Sequence, residues 1–267
     1  MRRLGSWNDK VAVVTGASSG IGRLLVIHAA RAGARVVLVA RNEERLAEVA
    51  REIRSAGGNA DVLPCDVADR DAVFRAAQTV LDQHGHIDIM VNNAGYGRHL
   101  RFVEWDLDDM ERMIHVNLLG SIYWTKAILP HMIERQSGWI VFMASVAGKL
   151  GVPDESVYSA TKFAMIGMAE AISMEVEDAG VHVLTVCPGA IDTEFFTEAM
   201  LRRMPPVAKR NMIEAEKLVT GIMKALEKGK REITVPRSIS AGYIARALFP
   251  RFTRFMVKRV ALRPPLE

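Results

Sequence analysis

The stretch that decides the fold is VAVVTGASSGIG, residues 11–22. A run of β-branched residues leads into a glycine-rich turn, and an amphipathic helical pattern follows over residues 20–32. In this context a glycine motif indicates a dinucleotide site, because glycines let the backbone approach a pyrophosphate and a helix N-terminus supplies N–H donors. The spacing G-x-x-x-G-x-G differs from the common G-x-G-x-x-G fingerprint, and a tight turn without a ligand is the alternative. The candidate cofactor-binding residues of this loop are Gly16, Ser18, Ser19, Gly20, Ile21 and Gly22.

The alternation of strand and helix continues along the chain. Short runs rich in Val, Ile and Leu are typical of strands that are buried on both faces of a parallel sheet. Seven such runs occur, at 10–15, 34–40, 59–64, 87–92, 138–144, 181–186 and 231–235. Helical spacing of apolar residues fills the intervals 43–56, 69–84, 107–135, 157–179 and 214–228. The sequence therefore predicts an α/β fold with a doubly wound parallel sheet (a Rossmann fold), as a single domain over residues 8–236.

Composition narrows the class of protein. The chain has 267 residues, of which 49% are hydrophobic and 25% charged, as is typical of a globular protein. Its two cysteines, Cys65 and Cys187, lie in apolar runs and are too few for a disulfide framework. Neither they nor the seven histidines show metal-ligand spacing, so no metal site is predicted. The opening MRRLGSWNDK has no apolar run and no stretch is long enough to cross a bilayer, so we expect a cytoplasmic location.

The positive charge is concentrated in the last quarter of the chain. Residues 201–267 contain 16 Lys and Arg against 5 Asp and Glu, whereas the other 200 residues contain 19 basic and 26 acidic side chains. In the C-terminal extension, residues 237–267, apolar residues recur at helical spacing among basic ones, and Pro250 should interrupt a helix there. Such a basic amphipathic segment is typical of an element that lies on a membrane surface. Packing against the chain's own domain or a second subunit, and docking of an acidic acyl carrier, are the alternatives. The apolar residues have no obvious stacking role, which disfavours nucleic acid.

Residues that follow the predicted strands are candidates for a binding site, because parallel sheets bind ligands at the carboxyl ends of their strands. Arg41 follows the second strand, where an acidic residue would indicate NAD and an arginine can pair with the 2′-phosphate of NADP. A solvated charge at a helix start is the alternative for Arg41. After the third strand we expect Asp66 to meet an adenine amino group. After the fourth, Asn92 can tie neighbouring strand ends together, and Gly95 gives room beside the cofactor.

The pattern YSATK, residues 158–162, places Tyr158 and Lys162 four residues apart. On a helix, side chains at this spacing share one face, so that an ammonium can stand beside a phenol. The unperturbed pKa of tyrosine is about 10, which is too high for easy proton exchange at neutral pH, and a nearby cation lowers it. By itself the pair also fits one turn of an ordinary helix.

Together these motifs resemble the short-chain dehydrogenase/reductase family. The residues that carry the resemblance are TGASSGIG at 15–22, NNAG at 92–95, Ser145, the Tyr158 and Lys162 pair, and Pro188 with Gly189. The resemblance extends from residue 8 to residue 236 and implies a catalytic site. In that site Tyr158 would donate or accept the proton, with Lys162 as its partner. Ser145 would orient the substrate, and Asn117 would hold a relay water.

The resemblance also implies a nicotinamide cofactor. A basic residue at Arg41 implies a preference for NADP(H), with NAD(H) as the alternative because Ser19 stands where a second basic residue is often found. Ile191 and Thr193 match positions that contact the nicotinamide carboxamide. The other implied cofactor contacts outside the glycine loop are Asp66, Val67, Asn93, Ala94, Gly95, Tyr158, Lys162, Pro188 and Gly189.

The function that the resemblance implies is the interconversion of a hydrophobic ketone and a secondary alcohol. Residues 194–213 correspond to the substrate lid of the family, and the stretch FFTEAMLRRMPP at 195–206, which contains Met200 and Met204, would give it an apolar lining. A mobile loop that folds onto the body would have the same pattern. Reduction of 3-oxoacyl thioesters is the alternative within enzymes. A cofactor-binding or membrane-interaction protein without turnover is the alternative outside them. We expect a homo-oligomer, and we expect peripheral membrane contact if residues 237–267 lie on a lipid surface.

Overall fold

The structure, a computed structural model, describes residues 3–261. Its strands are β1 Val11–Thr15, β2 Arg35–Ala40, β3 Asn59–Pro64, β4 Ile89–Asn92, β5 Gly138–Met143, β6 Val181–Pro188, β7 Ile191–Asp192, β8 Ile213–Glu214 and β9 Glu232–Val235. Seven of these form one sheet in the order β3-β2-β1-β4-β5-β6-β9, and every pair in it is parallel. All seven predicted strands belong to this sheet, so the predicted doubly wound fold is confirmed.

The helices fill the intervals between the strands. They are α1 Gly20–Arg31, α2 Glu43–Ser55, α3 Arg70–His84, α4 Leu107–Ile114, α5 Gly120–Glu134, α6 Ser156–Glu175, α7 Glu198–Arg203, α8 Pro206–Arg210, α9 Ala215–Glu227, α10 Ser240–Leu248 and α11 Pro250–Ala261. Asn42 and Asp69 cap α2 and α3, where their side chains accept the N–H groups of Arg45 and Ala72. The predicted helix 107–135 consists of α4 and α5 joined by a π-helical turn at His115–Leu119.

The sheet is covered on both faces, which explains why its strands lack polar alternation. Val13 and Val14 are neighbours in β1, yet they belong to two different cores. One core contains Leu25 of α1, Leu46 of α2 and Leu218 of α9; the other contains Val73 of α3, Trp124 of α5 and Met165 of α6. Successive side chains of a strand point to opposite faces, so a sheet between two helical layers needs apolar residues at every position.

The lid, residues 194–213, carries the two short helices α7 and α8. It leaves the body after β7 and returns through β8, and these two strands pair with each other at Ile191 and Ile213. Met200 and Met204 are both 4% exposed, so the lid is seated on the body with its methionines underneath. The sequence did not indicate β7 and β8, because a strand of two residues has no periodicity to read.

The last two helices, α10 and α11, form what we call the C-terminal arm, residues 240–261. Pro250 begins α11 directly after the end of α10, as predicted, because proline lacks the N–H that a continuous helix needs there and is accepted in a first helical turn. The remaining residues of the predicted extension, 262–267, lie outside the described part of the chain. Between residues 3 and 261, no helix combines the length and the apolar character that crossing a bilayer requires.

Candidate active site

The glycine loop lies between β1 and α1 at the carboxyl edge of the sheet. Gly16 has φ +68°, and a Cβ there would come 2.9 Å from Asn93 Nδ2. A Cβ at Gly22 would collide with the carbonyl oxygen of Gly16. Ser19 is the N-cap residue of α1, but its side chain makes no capping hydrogen bond. The first N–H groups of α1 are therefore not capped by that side chain, which suits an anionic ligand at this helix end.

Thr15 ties the end of β1 to the loop after β4. Its hydroxyl oxygen accepts the N–H groups of Asn93 and Ala94, both at 3.0 Å, and Asn93 Nδ2 donates to the Thr15 carbonyl at 2.8 Å. The expectation that Asn92 makes this tie is wrong: its amide donates to Thr125 Oγ1 of α5 at 3.2 Å. Asn92 still belongs to β4 and faces the helical layer, whereas Asn93 lies in the turn that follows. Thr15 was not one of the predicted site residues, although it begins the TGASSGIG motif.

Asp66 and Arg41 lie near each other beyond the ends of β3 and β2. Asp66 Oδ1 accepts the N–H of Ala68 at 3.0 Å, and its Oδ2 accepts Arg112 Nη2 at 2.6 Å. Desolvation opposes ionisation of Asp66, but these two hydrogen bonds and the charges of Arg112 and Arg41 outweigh it and lower the pKa of Asp66. Arg112 was not a predicted site residue, because one arginine among several charges on α4 carries no signal in the sequence. Asp66 therefore has partners already, and each oxygen keeps a second lone pair for an amino group.

The segment after β6 passes over the glycine loop. A Cβ at Gly20 would come 3.4 Å from the Cβ of Thr193, and Ile191 is buried in β7. The N–H of Gly189 donates to the Val235 carbonyl at 2.8 Å, which fixes the turn after Pro188 against β9. A cavity of about 470 Å³ lies beside the loop and is lined by Ser18, Gly20, Arg23, Leu24, Arg45, Glu48, Val49, Glu52, Asp192, Thr193, Glu194 and Ala215. This cavity flanks the loop and does not reach Tyr158.

Tyr158 and Lys162 lie on one face of α6, as their spacing predicts. Lys162 Nζ is 5.5 Å from the centre of the Tyr158 ring and donates to the Met143 carbonyl at 2.7 Å. Lys162 is buried, at 3% exposure, and Ser145 at the end of β5 is buried as well. The Ser145 hydroxyl accepts the N–H of Ala147 at 3.1 Å and lies near enough to the Tyr158 hydroxyl to lower the pKa of that tyrosine. The structure therefore brings together the three residues that the sequence placed in one site.

Asn117 lies in the π-helical turn between α4 and α5, a local irregularity that is frequent at functional sites. Its side chain is fully buried and exchanges two hydrogen bonds with Tyr96: Oδ1 accepts the N–H at 3.0 Å, and Nδ2 donates to the carbonyl at 2.8 Å. A Cβ at Gly95 would come 3.1 Å from Asn117 Oδ1 and 3.6 Å from Lys162 Nζ. Asn117 thus holds the segment after β4 beside the lysine, and Gly95 leaves the space between them open.

The two titratable groups of this site have pKa values shifted by burial. Burial raises the pKa of Tyr158 well above its usual value, the Glu155 carboxylate raises it further, and the hydrogen bond with Ser145 lowers it. Burial lowers the pKa of Lys162 to about 8. The expectation that Lys162 lowers the pKa of Tyr158 is not met in the protein alone, because desolvation is the larger effect and the ammonium is directed at the Met143 carbonyl.

The lid covers Tyr158 through an aromatic side chain. The ring of Phe195 is 5.8 Å from the ring of Tyr158, and Phe196 packs edge-on against Phe195 at 5.1 Å. A Cβ at Gly97 would come 2.9 Å from the Phe195 ring. The predicted apolar lining of the lid is thus provided at Tyr158 by Phe195, while Met200 is buried underneath.

His99 and Arg203 hold the lid down, and neither was a predicted site residue. His99 is buried, with Nδ1 3.0 Å from the Met200 carbonyl and Nε2 2.8 Å from Glu155 Oε1. Desolvation disfavours a charged ring, but the Glu155 carboxylate and the Met200 carbonyl outweigh it and raise the pKa of His99. Arg203 of α7 makes a two-pronged ion pair with Glu104, at 2.6 and 3.0 Å. A lone histidine or arginine has no signal of its own in sequence, because its partners are distant along the chain.

The residues at the strand ends fit a bound dinucleotide. Gly16, Gly22 and Gly95 lie along the sheet edge between the start of α1 and Lys162, and at each of them a Cβ would crowd neighbouring atoms of the chain. Asp66 and Arg41 lie at one end of this edge, and Tyr158 and Ser145 at the other. No group of three His, Cys, Asp or Glu side chains arranged to hold a metal ion occurs among residues 3–261.

Comparison with known proteins gives this arrangement a family context. A model of the short chain dehydrogenase family matches residues 10–203. YxnA, an uncharacterized oxidoreductase of Bacillus subtilis, is 34% identical over 263 residues, which are 97% of this chain and 74% of that protein. A metagenomic short-chain oxidoreductase in complex with NADP is 32% identical with a TM-score of 0.75, over 86% of this chain and 97% of that one. A short-chain dehydrogenase/reductase from Burkholderia phymatum in complex with NAD shares the fold, with a TM-score of 0.84 over 98% of this chain and 99% of that one, at 24% identity.

Proposed function

Since this chain belongs to the short-chain dehydrogenase family of oxidoreductases, we propose that it is an NADP(H)-dependent reductase of hydrophobic ketones. The observation that carries the proposal is the position of Tyr158, which lies beside the Phe195 ring, near the Ser145 hydroxyl and next to the buried Lys162. This arrangement places a proton donor, a second hydroxyl and an apolar wall at one point. A ketone with an apolar substituent satisfies all three.

The glycine loop and the strand ends would hold the cofactor. The start of α1 suits the pyrophosphate. Thr193 and Ile191 would contact the nicotinamide carboxamide, and Lys162 would hold the ribose hydroxyls, as the family pattern implies. When it is bound, the nicotinamide supplies the hydride. The chain's own residues then have to orient the carbonyl and exchange one proton with its oxygen.

Tyr158 is the group placed to donate the proton, and its raised pKa keeps the hydroxyl protonated across the physiological range. Transfer of that proton requires the pKa to fall when cofactor and substrate bind. Ser145 can donate a hydrogen bond to the same oxygen, where negative charge develops as the carbonyl is reduced. The positive charge of Lys162 favours the phenolate left behind, and a pKa of about 8 leaves that charge largely in place at neutral pH.

A panel of ketones tests the proposed activity. We expect NADPH oxidation, followed as loss of absorbance, to be fast with steroid or long-chain aliphatic ketones and slow with short polar ones. Faster turnover of acetoacetyl thioesters would instead assign the alternative function, 3-oxoacyl-thioester reduction. Binding of NADPH without oxidation on any ketone of the panel would contradict both enzymatic functions.

Arg41 is expected to set the cofactor preference. It is exposed and lies close enough to Asp66 for its charge to lower the pKa of that carboxyl. A 2′-phosphate here would gain a charge-assisted contact, and Arg41→Asp would replace that contact with repulsion. We expect Arg41→Asp to change the ratio of kcat/KM for NADPH over NADH by about 10- to 100-fold in favour of NADH.

The control for this experiment is Arg51→Asp, which makes the same change of charge at an exposed position of α2. It should leave the ratio of the two kcat/KM values almost unchanged. Equal use of NADH and NADPH by the unaltered protein would contradict the preference. Equal effects of the two variants would show that only the overall charge matters.

A further inference from the structure

The C-terminal arm exposes a continuous apolar stripe. On α11, Phe252, Phe255 and Met256 are 62%, 57% and 40% exposed, and their spacing of three and four residues places them on one side of the helix. Leu248 and Phe249, at the end of α10, are 66% and 62% exposed and extend the stripe. A helix of a globular domain normally turns such a stripe towards its own core. In this chain the stripe faces away from both cores of the sheet.

A basic stripe runs beside the apolar one. Arg251, Arg254 and Lys258 are exposed and follow one another at spacings of three and four residues along α11. The sequence from residue 237 to residue 261 contains five basic residues besides Arg237 and not one Asp or Glu. Apolar and cationic side chains on adjoining sides of one helix form the pattern of an element that lies in a membrane interface.

The body of the protein fixes the orientation of the arm. Arg246 of α10 donates to the carbonyl of Lys149, and its guanidinium lies 5.4 Å from the centre of the Phe163 ring on α6. Before α10, Ile239 packs against the turn after β6, where a Cβ at Gly189 would come 3.0 Å from its side chain. These contacts join one side of the arm to the domain, so the apolar stripe is presented outwards.

We propose that the C-terminal arm binds the surface of a bilayer that contains anionic lipids. Headgroup phosphates would meet the basic stripe, while the phenyl rings of Phe252 and Phe255 would enter the boundary with the acyl chains. A second copy of the chain fits this surface less well, because contact between two arms would bring their positively charged side chains together. The Lys149 contact also places the arm beside the segment that follows Ser145, so the bound membrane would lie near the active site.

Vesicle sedimentation tests the proposal with the full chain. The protein should sediment with vesicles of equal parts phosphatidylcholine and phosphatidylglycerol, and it should stay in the supernatant with phosphatidylcholine alone. Because the attraction is screened within about 8 Å at physiological ionic strength, binding should fall as salt is added. Absence of binding to the anionic vesicles at low salt would overturn the proposal.

Two variants test the contributions of the basic stripe and the apolar stripe to vesicle binding one at a time. Reversal of charge in R251E/R254E/K258E should weaken vesicle binding by at least about tenfold. Replacement of the apolar side chains in F252S/F255S/M256S should weaken it at every salt concentration. All six residues are exposed, so both variants should fold, and NADPH oxidation without vesicles should be unchanged.

The matched control is R51E/R75E/K224E, which reverses three exposed basic residues on α2, α3 and α9. It changes the net charge by the same amount and should keep vesicle binding within about twofold of the unaltered protein, because the charges that meet the headgroups remain. Equal losses in this control and in the arm variant would overturn the proposal. So would arm variants that change the subunit number, measured by sedimentation velocity, while vesicle binding stays intact.

Discussion

Tyr158→Phe is expected to lower kcat by about 10²- to 10⁴-fold while NADPH binding stays almost unchanged. The substitution removes one oxygen atom, which is the group that would exchange a proton with the substrate. The ring keeps its place beneath Phe195, 5.8 Å away, and Lys162 keeps its bond to the Met143 carbonyl. Steady-state kinetics with the best ketone of the panel, together with titration of NADPH fluorescence, measures the two effects separately.

Tyr96→Phe is the control for this prediction. Tyr96 is also partly buried near the site, and its hydroxyl reaches the Asp109 carbonyl only at 3.5 Å. Its backbone contacts with Asn117 do not depend on the hydroxyl, so the rate should stay within a small factor of the original. A Tyr158→Phe variant with a near-normal rate would refute the assignment of the proton donor.

Lys162→Met is expected to lower kcat/KM by at least about 100-fold and to stabilise the ligand-free protein. The pKa of Lys162 falls from 10.5 to about 8 on burial, which corresponds to a cost of roughly 3 kcal/mol at neutral pH. The Met143 carbonyl would lose its donor, which offsets about 1 kcal/mol of the gain. The free energy of unfolding should therefore rise by about 1–3 kcal/mol at pH 7.

The pH dependence of this difference in the free energy of unfolding shows whether the buried charge of Lys162 causes it. The folded protein binds the Lys162 proton less tightly than the unfolded chain does. The destabilisation by the buried charge of Lys162 is therefore fully present below pH 8, and it disappears as the pH rises towards 10.5. Urea unfolding should show that the Lys162→Met variant and the unaltered protein differ less in free energy of unfolding at pH 10 than at pH 7. Lys224→Met, at an exposed position of α9, should show no such pH-dependent difference in free energy of unfolding from the unaltered protein. A less stable Lys162→Met protein at pH 7 would refute the prediction.

The structural features that the sequence predicted correctly are those with a regular pattern or a fixed spacing. The strands were predictable because both faces of the sheet are covered, so each of them is apolar throughout. Tyr158 and Lys162 were predictable because a spacing of four places two side chains on the same side of a helix. The end of α10 was predictable from the chemistry of Pro250 alone.

The features that sequence reasoning missed depend on contacts between distant segments. Arg112 reaches Asp66 across 46 positions, and His99 reaches Met200 across 101. The π-helical turn at Asn117 inserts one extra residue into a helix whose apolar spacing looks continuous. The pKa of Tyr158 could not be predicted, because burial and the nearby Glu155 carboxylate are properties of the folded chain.

The position of His99 makes seating of the lid a proton-linked equilibrium. Both ring nitrogens face acceptors, one on the lid and one at the start of α6, so the seated lid and the protonated ring stabilise each other reciprocally. Because the pKa of His99 is raised, this contribution is complete below the ordinary value of about 6.5 and is lost as the pH rises through the higher value. Opening of the lid would remove from Nδ1 the Met200 carbonyl, which is one of the groups that raise the pKa of His99. We therefore expect the admission of substrate to depend on the pH of the surrounding solution.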